Sequence, residues 1–218
     1  MSLPPYLMLL HRFATGDVKP AAKHYYNAHF PGLYSIVLDR NGDLLTRAFI
    51  AKPHQLSKDL RNEQGTFLWH RHGYDFRETS IAGSVTNICV RGADGSVDYE
   101  YFYQYHINAG IDTGLPPTLV NIEPRVRFKE YLRQTVWPFE SFELAADVIH
   151  RVVFKPDLRT YWFACIVEEL RKVPAPNVVY SPAEIDSIPH ADQLYIQIHD
   201  DQARRVVQGL IESLEPSE

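Results

Sequence analysis

The fold of this chain is indicated most strongly by one segment, WHRHGYDFRETSIAG at residues 69–83. Residues i and i+2 of a β-strand point to the same side, so His70 and His72 present two imidazoles on one face. Two neutral imidazoles on one face form half of a site for a divalent transition metal. An H-x-H pair taken alone is equally consistent with two hydrogen-bonded histidines in a polar strand, so the surrounding sequence has to separate the two interpretations.

Runs with β-like alternation surround this segment. On its N-terminal side, residues 33–39 and 44–50 flank Asn41-Gly42, the strongest short signal for a β-hairpin. A series of further runs extends from Gly65 to about Glu168 and comprises residues 66–72, 76–90, 97–107, 126–136, 142–150 and 152–167. Six or more strands with short turns predict a barrel or sandwich that closes on itself and hides its edges.

The two ends of the chain have a different pattern. Helix-like spacing occurs over residues 6–13 and 18–29, and residues 200–214 form an amphipathic pattern with one apolar face. Residues 171–182 are interpreted as a proline-punctuated connector, and residues 194–198 as a small edge strand. The whole pattern predicts a mainly β protein with N-terminal and C-terminal helices.

Composition excludes several classes of function. The chain has 218 residues and a formal net charge of −5, and its 22 Lys and Arg residues are scattered, so no nucleic-acid partner is expected. No apolar run approaches the ~20 residues that cross a bilayer, and residues 1–10 lack the features of a signal peptide, so a cytoplasmic protein without a membrane partner is expected. Cys89 and Cys165 form no CxxC pair, which argues against a disulfide scaffold and a cysteine-built metal site.

The order of H-x-H, a turn, a strand and Gly83 resembles the first motif of the cupin superfamily, G-x5-H-x-H-x3–4-E-x6-G. Gly83 has the spacing of the shorter variant, and Gly65 is one residue nearer to His70 than the pattern asks. The sequence of residues 70–76 also resembles that of small cupin-like proteins with the motif H-x-H-(P or G)-(W or Y)-D-F. The resemblance implies a cupin-type double-stranded β-helix (jelly-roll) barrel.

A single cupin domain is accordingly predicted over residues 1–218. Within it, residues 1–64 would supply N-terminal helices and the hairpin, and residues 65–168 would form the barrel core. Residues 169–218 would supply the connector and the C-terminal helix. Cupins often pair through an extra strand, and because the hairpin around Asn41-Gly42 could serve in that way, a homodimer is expected.

The carboxylate of the first cupin motif has no direct equivalent in this chain. It would fall at Phe76 or Arg77, and neither side chain binds a metal. Glu78 is the nearest carboxylate, and by strand alternation it shares a face with Phe76. Three roles stay open for Glu78: a metal ligand, a support for a ligand, or the partner of an arginine.

A second cupin motif, G-x5-P-x-G-x2-H-x3-N, is present only in part. His150 supplies its histidine, with Asp147 at the glycine and Phe154 at the asparagine. The resemblance therefore implies His150 as the third imidazole of the site. His106, which follows an aromatic strand, is a reserve candidate for a fourth ligand.

Three histidines without the glutamate resemble the three-His variant of the cupin site, found in cysteine dioxygenase-like thiol dioxygenases and other non-haem iron dioxygenases. The resemblance implies Fe(II), with Zn, Ni, Mn or Cu as other metals, and a dioxygenase or oxidoreductase that acts on a small organic substrate. Three protein ligands would leave positions open for O2 and substrate. The alternatives are a non-catalytic cupin that binds a small ligand, and a non-redox metal-dependent isomerase, lyase or hydrolase of the same fold.

Several other polar residues are expected to have ordinary structural roles. Arg77 and Arg151 are expected to point outward, and Asp75 is expected to accept backbone hydrogen bonds in a turn. A surface position is expected for the histidines in the terminal regions, which are His24, His29, His54, His190 and His199.

Overall fold

The structure is a computed structural model that describes residues 4–18, 22–28, 31–53, 69–95, 98–108, 118–174, 176–182, 184 and 195–215. Gly65, His29, His54 and His190 lie outside these residues. The elements in chain order are α1 (Pro5–Thr15), β1 (His24–Tyr26), β2 (Leu33–Asn41), β3 (Leu44–Ala51), β4 (Trp69–Arg71), β5 (Tyr74–Ala82), β6 (Ser84–Gly92), β7 (Tyr99–Asn108), β8 (Thr118–Val136), β9 (Ser141–Leu144), β10 (Ile149–Lys155), β11 (Phe163–Lys172), β12 (Val178–Ser181), β13 (Ile196–Ile198) and α2 (Asp200–Leu214).

The strands form two antiparallel sheets. A seven-stranded sheet has the order β13-β1-β2-β3-β11-β5-β9, and a closed barrel has the order β10-β4-β12-β7-β8-β6. The long strand β8 closes the barrel because its first part pairs with β7 and its last part with β6. The predicted fold class is confirmed: the described part of the chain is mainly β, contains a closed barrel, and has an N-terminal and a C-terminal helix that pack in one apolar cluster.

Three apolar layers follow from the two-residue period of the strands. Alternate residues of β11 divide between layers: Ala164 and Ile166 pack with the two helices, whereas Cys165 and Val167 face the barrel. The same alternation in β6 sends Cys89 toward the sheet and Ile88 into the barrel. The space between sheet and barrel is therefore a core of its own, and the candidate site lies at its margin.

The predicted β-hairpin is confirmed as β2 and β3, with Gly42 at a φ of +60° in the turn. Each of its strands is paired on both sides, β2 with β1 and β3, and β3 with β2 and β11. The pairing of β2 with β1 covers only Tyr34 and Ser35, and no described strand pairs with the rest of β2 on that side. The homodimer through the hairpin stays a prediction.

Some element predictions are wrong. Residues 24–26 form strand β1 between β2 and β13, where a helix over 18–29 was expected. Residues 178–181 form β12, a barrel strand between β4 and β7, where a connector was expected. The predicted strand over 142–150 is two strands, β9 and β10, separated by a turn. Short segments with pairing partners on both edges gain ladder hydrogen bonds that local sequence patterns do not reveal. The small edge strand near residue 198 is confirmed as β13.

Gly83 connects the sheet to the barrel at the turn between β5 and β6. Its φ is +75°, a left-handed conformation that suits glycine. A side-chain Cβ at this position would collide with the carbonyl oxygen of Lys155. Both the backbone conformation and the lack of space for a Cβ therefore require glycine at position 83, the last position of the motif.

Among the described residues, no helix combines the length and apolar character needed to cross a membrane. Cys89 and Cys165 are both buried and free.

Candidate metal centre

Strands β4 and β10, together with the residue that follows β4, bring three histidines together. The antiparallel pairing of β4 and β10 places His70 directly opposite His150. The ring centroids are 4.5 Å apart for His70 and His150, 4.8 Å for His70 and His72, and 5.3 Å for His72 and His150. One ligand-capable nitrogen from each ring lies within 4.8 Å of the others. The three histidines singled out in the sequence thus converge on one space.

His150 is the most enclosed of the three. Its side chain is 1% exposed, and its Nδ1 lies 2.9 Å from Oδ1 of Asn87. Its Nε2 is buried and has no hydrogen-bond partner among the described residues. Burial lowers the pKa of His150 to about 3, so the ring is neutral at physiological pH. A neutral ring with an unsatisfied buried nitrogen has the chemistry of a metal ligand.

Glu78 is buried behind His150. It is 3% exposed, and Nδ2 of Asn87 donates a hydrogen bond of 3.0 Å to its Oε1. Burial raises the pKa of Glu78 to about 7, and the hydrogen bond from Asn87 opposes this rise. Within the described part of the chain, the group of converging ligand atoms comprises the three histidines, and the structure does not bring Glu78 into it.

Aromatic rings form one wall of the site. Phe76, which stands where the cupin pattern has its carboxylate, lies edge-on to His72 with ring centroids 5.1 Å apart, and its ring centroid is 5.6 Å from that of His150. His72 stacks on Tyr74 at 4.9 Å, and the amino group of Lys172 lies 4.8 Å from the centre of the Tyr74 ring. The histidine group therefore has aromatic neighbours on one side.

The prediction for Arg77 is confirmed, and the prediction for Asp75 is confirmed in part. Arg77 points outward and forms ion pairs with Glu143 and Glu168 at 2.7 and 3.5 Å, so it is not the partner of Glu78. Asp75 accepts a hydrogen bond of 2.9 Å from the backbone N–H of Ala146, as predicted, but it lies in strand β5 and not in a turn. Its other carboxylate oxygen pairs with Arg171 at 2.7 Å.

Arg151 does not point outward, so that prediction is wrong. It is 6% exposed, and its guanidinium carbon lies 5.1 Å from the ring centre of Trp69 and 5.6 Å from that of Tyr99. Strand parity does place it on the face opposite His150. That face is the interior of the closed barrel, which has an aromatic core of its own.

His24 is also misassigned by the sequence. It is buried rather than on the surface, its Nδ1 accepts a hydrogen bond of 3.0 Å from the backbone N–H of Val37, and its Nε2 lies 3.5 Å from Asp200. His106 is exposed and outside the histidine group, and His199 is exposed as predicted.

Asn87 is the site residue that sequence reasoning missed. It is fully buried in β6, on the strand face that it shares with the apolar residues Val85 and Cys89. A polar residue in phase with the core-facing positions Val85 and Cys89 is a signal that could have found it, because a buried amide needs hydrogen-bond partners.

No protein-family model matches this chain, and no curated protein sequence matches it. Among solved structures, hydroquinone 1,2-dioxygenase from Sphingomonas sp. TTNP3 with 4-hydroxybenzoate bound aligns at 9% identity over 79% of this chain and 80% of that chain, with a TM-score of 0.34. A cupin domain from Bordetella pertussis Tohama I aligns at 13% identity over 65% and 95%, with a TM-score of 0.29. Hydroquinone 1,2-dioxygenase PnpCD in complex with Cd2+ and 4-hydroxybenzonitrile aligns at 12% identity over 90% and 86%, with a TM-score of 0.33. Identity and TM-score are low in all three cases, and the bound ligands belong to those proteins.

Proposed function

We propose that this chain holds one divalent transition metal with His70, His72 and His150, and that it is a non-haem Fe(II) dioxygenase acting on a small organic substrate. The observation that carries the proposal is the convergence of three imidazoles whose ligand-capable nitrogens lie within 4.8 Å of one another. One of these rings has a buried Nε2 without a hydrogen-bond partner among the described residues.

The donor set fits a transition metal. Imidazole nitrogen suits Fe, Zn, Cu and Ni, whereas Mg and Ca take oxygen ligands. The low pKa of His150 means that no proton competes for this ring at neutral pH. When bound, the metal would supply a Lewis acid with open positions for O2 and a substrate donor atom.

The surrounding residues favour an anionic group on the substrate. Because Phe76 stands where a carboxylate ligand would lie, the three histidines contribute no negative charge to the ligand set. A metal charge that no ligand carboxylate balances attracts a carboxylate or thiolate group of a substrate, and an apolar wall strengthens this attraction because it lowers the local dielectric. The rings of Phe76 and Tyr74 would at the same time exclude water from this side of the substrate.

Metal content tests the first half of the proposal. Elemental analysis of protein purified without a histidine tag should show about one transition metal per chain, and this metal should be lost in His70→Ala and His150→Ala. His106→Ala is the matched control, because this histidine is exposed and outside the group. No metal under any loading condition would overturn the proposal.

Oxygen consumption tests the second half. The Fe(II)-loaded protein should consume O2 in the presence of at least one member of a panel of thiols, amino acids and aromatic acids, and His150→Ala should not. Stoichiometric metal without O2 consumption across the panel would remove the dioxygenase assignment and favour a non-redox metal-dependent reaction or simple ligand binding.

A further inference from the structure

Three buried polar side chains form a line from the sheet to the barrel. Glu78 lies on β5 of the sheet, and Asn87 and His150 lie on β6 and β10 of the barrel. The two contacts that join them are 3.0 Å from Asn87 Nδ2 to Glu78 Oε1 and 2.9 Å between Asn87 Oδ1 and His150 Nδ1. Each of the three side chains is at least 97% buried, so bulk water does not compete for these bonds.

The register explains why these residues meet. Cys89 of β6 is paired directly with His150 of β10, so Asn87, two residues earlier on the same face, is the diagonal neighbour of the ring. The chain crosses from sheet to barrel at Gly83, and Glu78 and Asn87 lie at similar distances on either side of this turn. The crossover therefore brings the carboxyl group of one layer to the amide of the other.

The structure turns Nδ2 of Asn87 toward Glu78 and its carbonyl oxygen toward His150. Above the pKa of Glu78, at about 7, this is the one orientation in which both contacts are hydrogen bonds, because an ionised carboxylate only accepts. A carbonyl oxygen also only accepts, so Nδ1 of His150 must carry the ring proton. Because a neutral imidazole has one N–H, Nε2 then has a lone pair, and this is the buried nitrogen that lacks a partner among the described residues.

We infer that Glu78 and Asn87 are a positioning pair that fixes His150 in the Nδ1–H tautomer and thereby directs the Nε2 lone pair into the histidine group. The inference rests on the proposed metal site for its purpose, but the tautomer is a property of the metal-free protein. Glu78 acts on His150 through Asn87: its carboxylate orients the Asn87 amide, and the amide orients the His150 ring. Without the carboxylate the amide can reverse, and an Nε2–H ring has no lone pair on Nε2 with which to bind a metal.

Two variants separate this role from simple packing. Asn87→Leu removes both contacts at similar volume, and Glu78→Gln keeps the size of the side chain but removes its acceptor-only character. Glu143→Gln is the control, because this residue is exposed and pairs with Arg77 on the surface. Imidazole nitrogen chemical shifts of ¹⁵N-labelled, metal-free protein report the tautomer of each histidine, and competition with a chelating dye measures the affinity for Co²⁺.

The expected result is an Nδ1–H ring at His150 in the wild-type protein and in Glu143→Gln. In Asn87→Leu and Glu78→Gln, part or all of the population should move to Nε2–H, and Co²⁺ binding should weaken by about 10–100-fold. An Nε2–H ring in the wild-type protein, or an unchanged tautomer in both variants, would overturn the inference. Failure of the wild-type protein to bind Co²⁺ would instead contradict the proposed function, and the tautomer measurement would still decide the inference.

Discussion

The buried carboxyl group of Glu78 makes the stability of the metal-free protein depend on pH. Burial raises the pKa of Glu78 from 4.5 to about 7, and the hydrogen bond from Asn87 is a smaller opposing effect. The folded protein therefore keeps this proton at pH values where the unfolded chain has lost it. Its contribution to stability is full below pH 4.5, falls as the pH rises to about 7, and is constant above. The difference between these two pKa values corresponds to roughly 3–4 kcal/mol over the full pH range.

His150 has the opposite effect over part of the same range. Burial lowers its pKa from 6.5 to about 3, so its contribution to stability increases as the pH rises from about 3 to 6.5. Between pH 4.5 and 6.5 the effects of the two groups oppose each other. The wild-type pH profile alone would therefore conceal the contribution of Glu78, and a comparison with Glu78→Gln is needed to reveal it.

Urea unfolding of the wild-type protein and Glu78→Gln, from pH 4 to pH 8 with a chelator present, measures this contribution. Near pH 4 the carboxyl group is protonated in both folded and unfolded wild-type chains. From there to pH 7.5 the free energy of unfolding of the variant should rise relative to wild type by about 3 kcal/mol. Glu143→Gln, an exposed control, should show no comparable change. A difference between Glu78→Gln and wild type that stays constant within about 0.5 kcal/mol over this range would refute the reasoning.

Three further predictions concern the turn, the histidine group and its aromatic wall. Gly83→Ala should lower the free energy of unfolding by at least about 2 kcal/mol, because it combines a left-handed backbone with a collision against the Lys155 carbonyl. Gly95→Ala is the control: its Cβ would meet open space, so it should change the free energy of unfolding by less than about 0.5 kcal/mol. Equal effects of the two substitutions in urea unfolding would contradict this reasoning. Co²⁺ at 100 times its Kd should stabilise the wild-type protein by about 2.7 kcal/mol and His150→Ala not at all, so equal stabilisation of the two proteins would place the metal elsewhere. Phe76→Glu should strengthen Co²⁺ binding by at least about tenfold, because it puts a charged oxygen donor beside His72 and His150. The same buried charge should destabilise the metal-free protein. A Co²⁺ affinity equal to or below that of wild type in dye competition would argue against a metal next to this position.

The parts of the fold and site that could be predicted from the sequence are those governed by local geometry. Strand alternation alone puts His70 and His72 on one face, and the Asn-Gly turn defines the hairpin. The glycine at the end of the motif is explained by the positive φ that the crossover requires. These features depend on a few neighbouring residues and so can be recognised without the fold.

The features that could not be predicted depend on partners distant in sequence. Strand β12 is short and follows prolines, and its place in the barrel comes from pairing with β4 and β7. Strand alternation correctly places Arg151 on the face opposite His150. The prediction that this face is exposed to solvent is wrong, because the barrel encloses it. Asn87 gains its role only from the register that sets it diagonal to His150.

The most direct test of the central claim is an anomalous-scattering map from a crystal of the metal-loaded protein, recorded at the absorption edge of the bound metal. We expect one peak within about 2.0–2.2 Å of a nitrogen of each of His70, His72 and His150, with Nε2 as the donor from His150. No peak between these three rings, or a peak bound by other residues in their place, would contradict it.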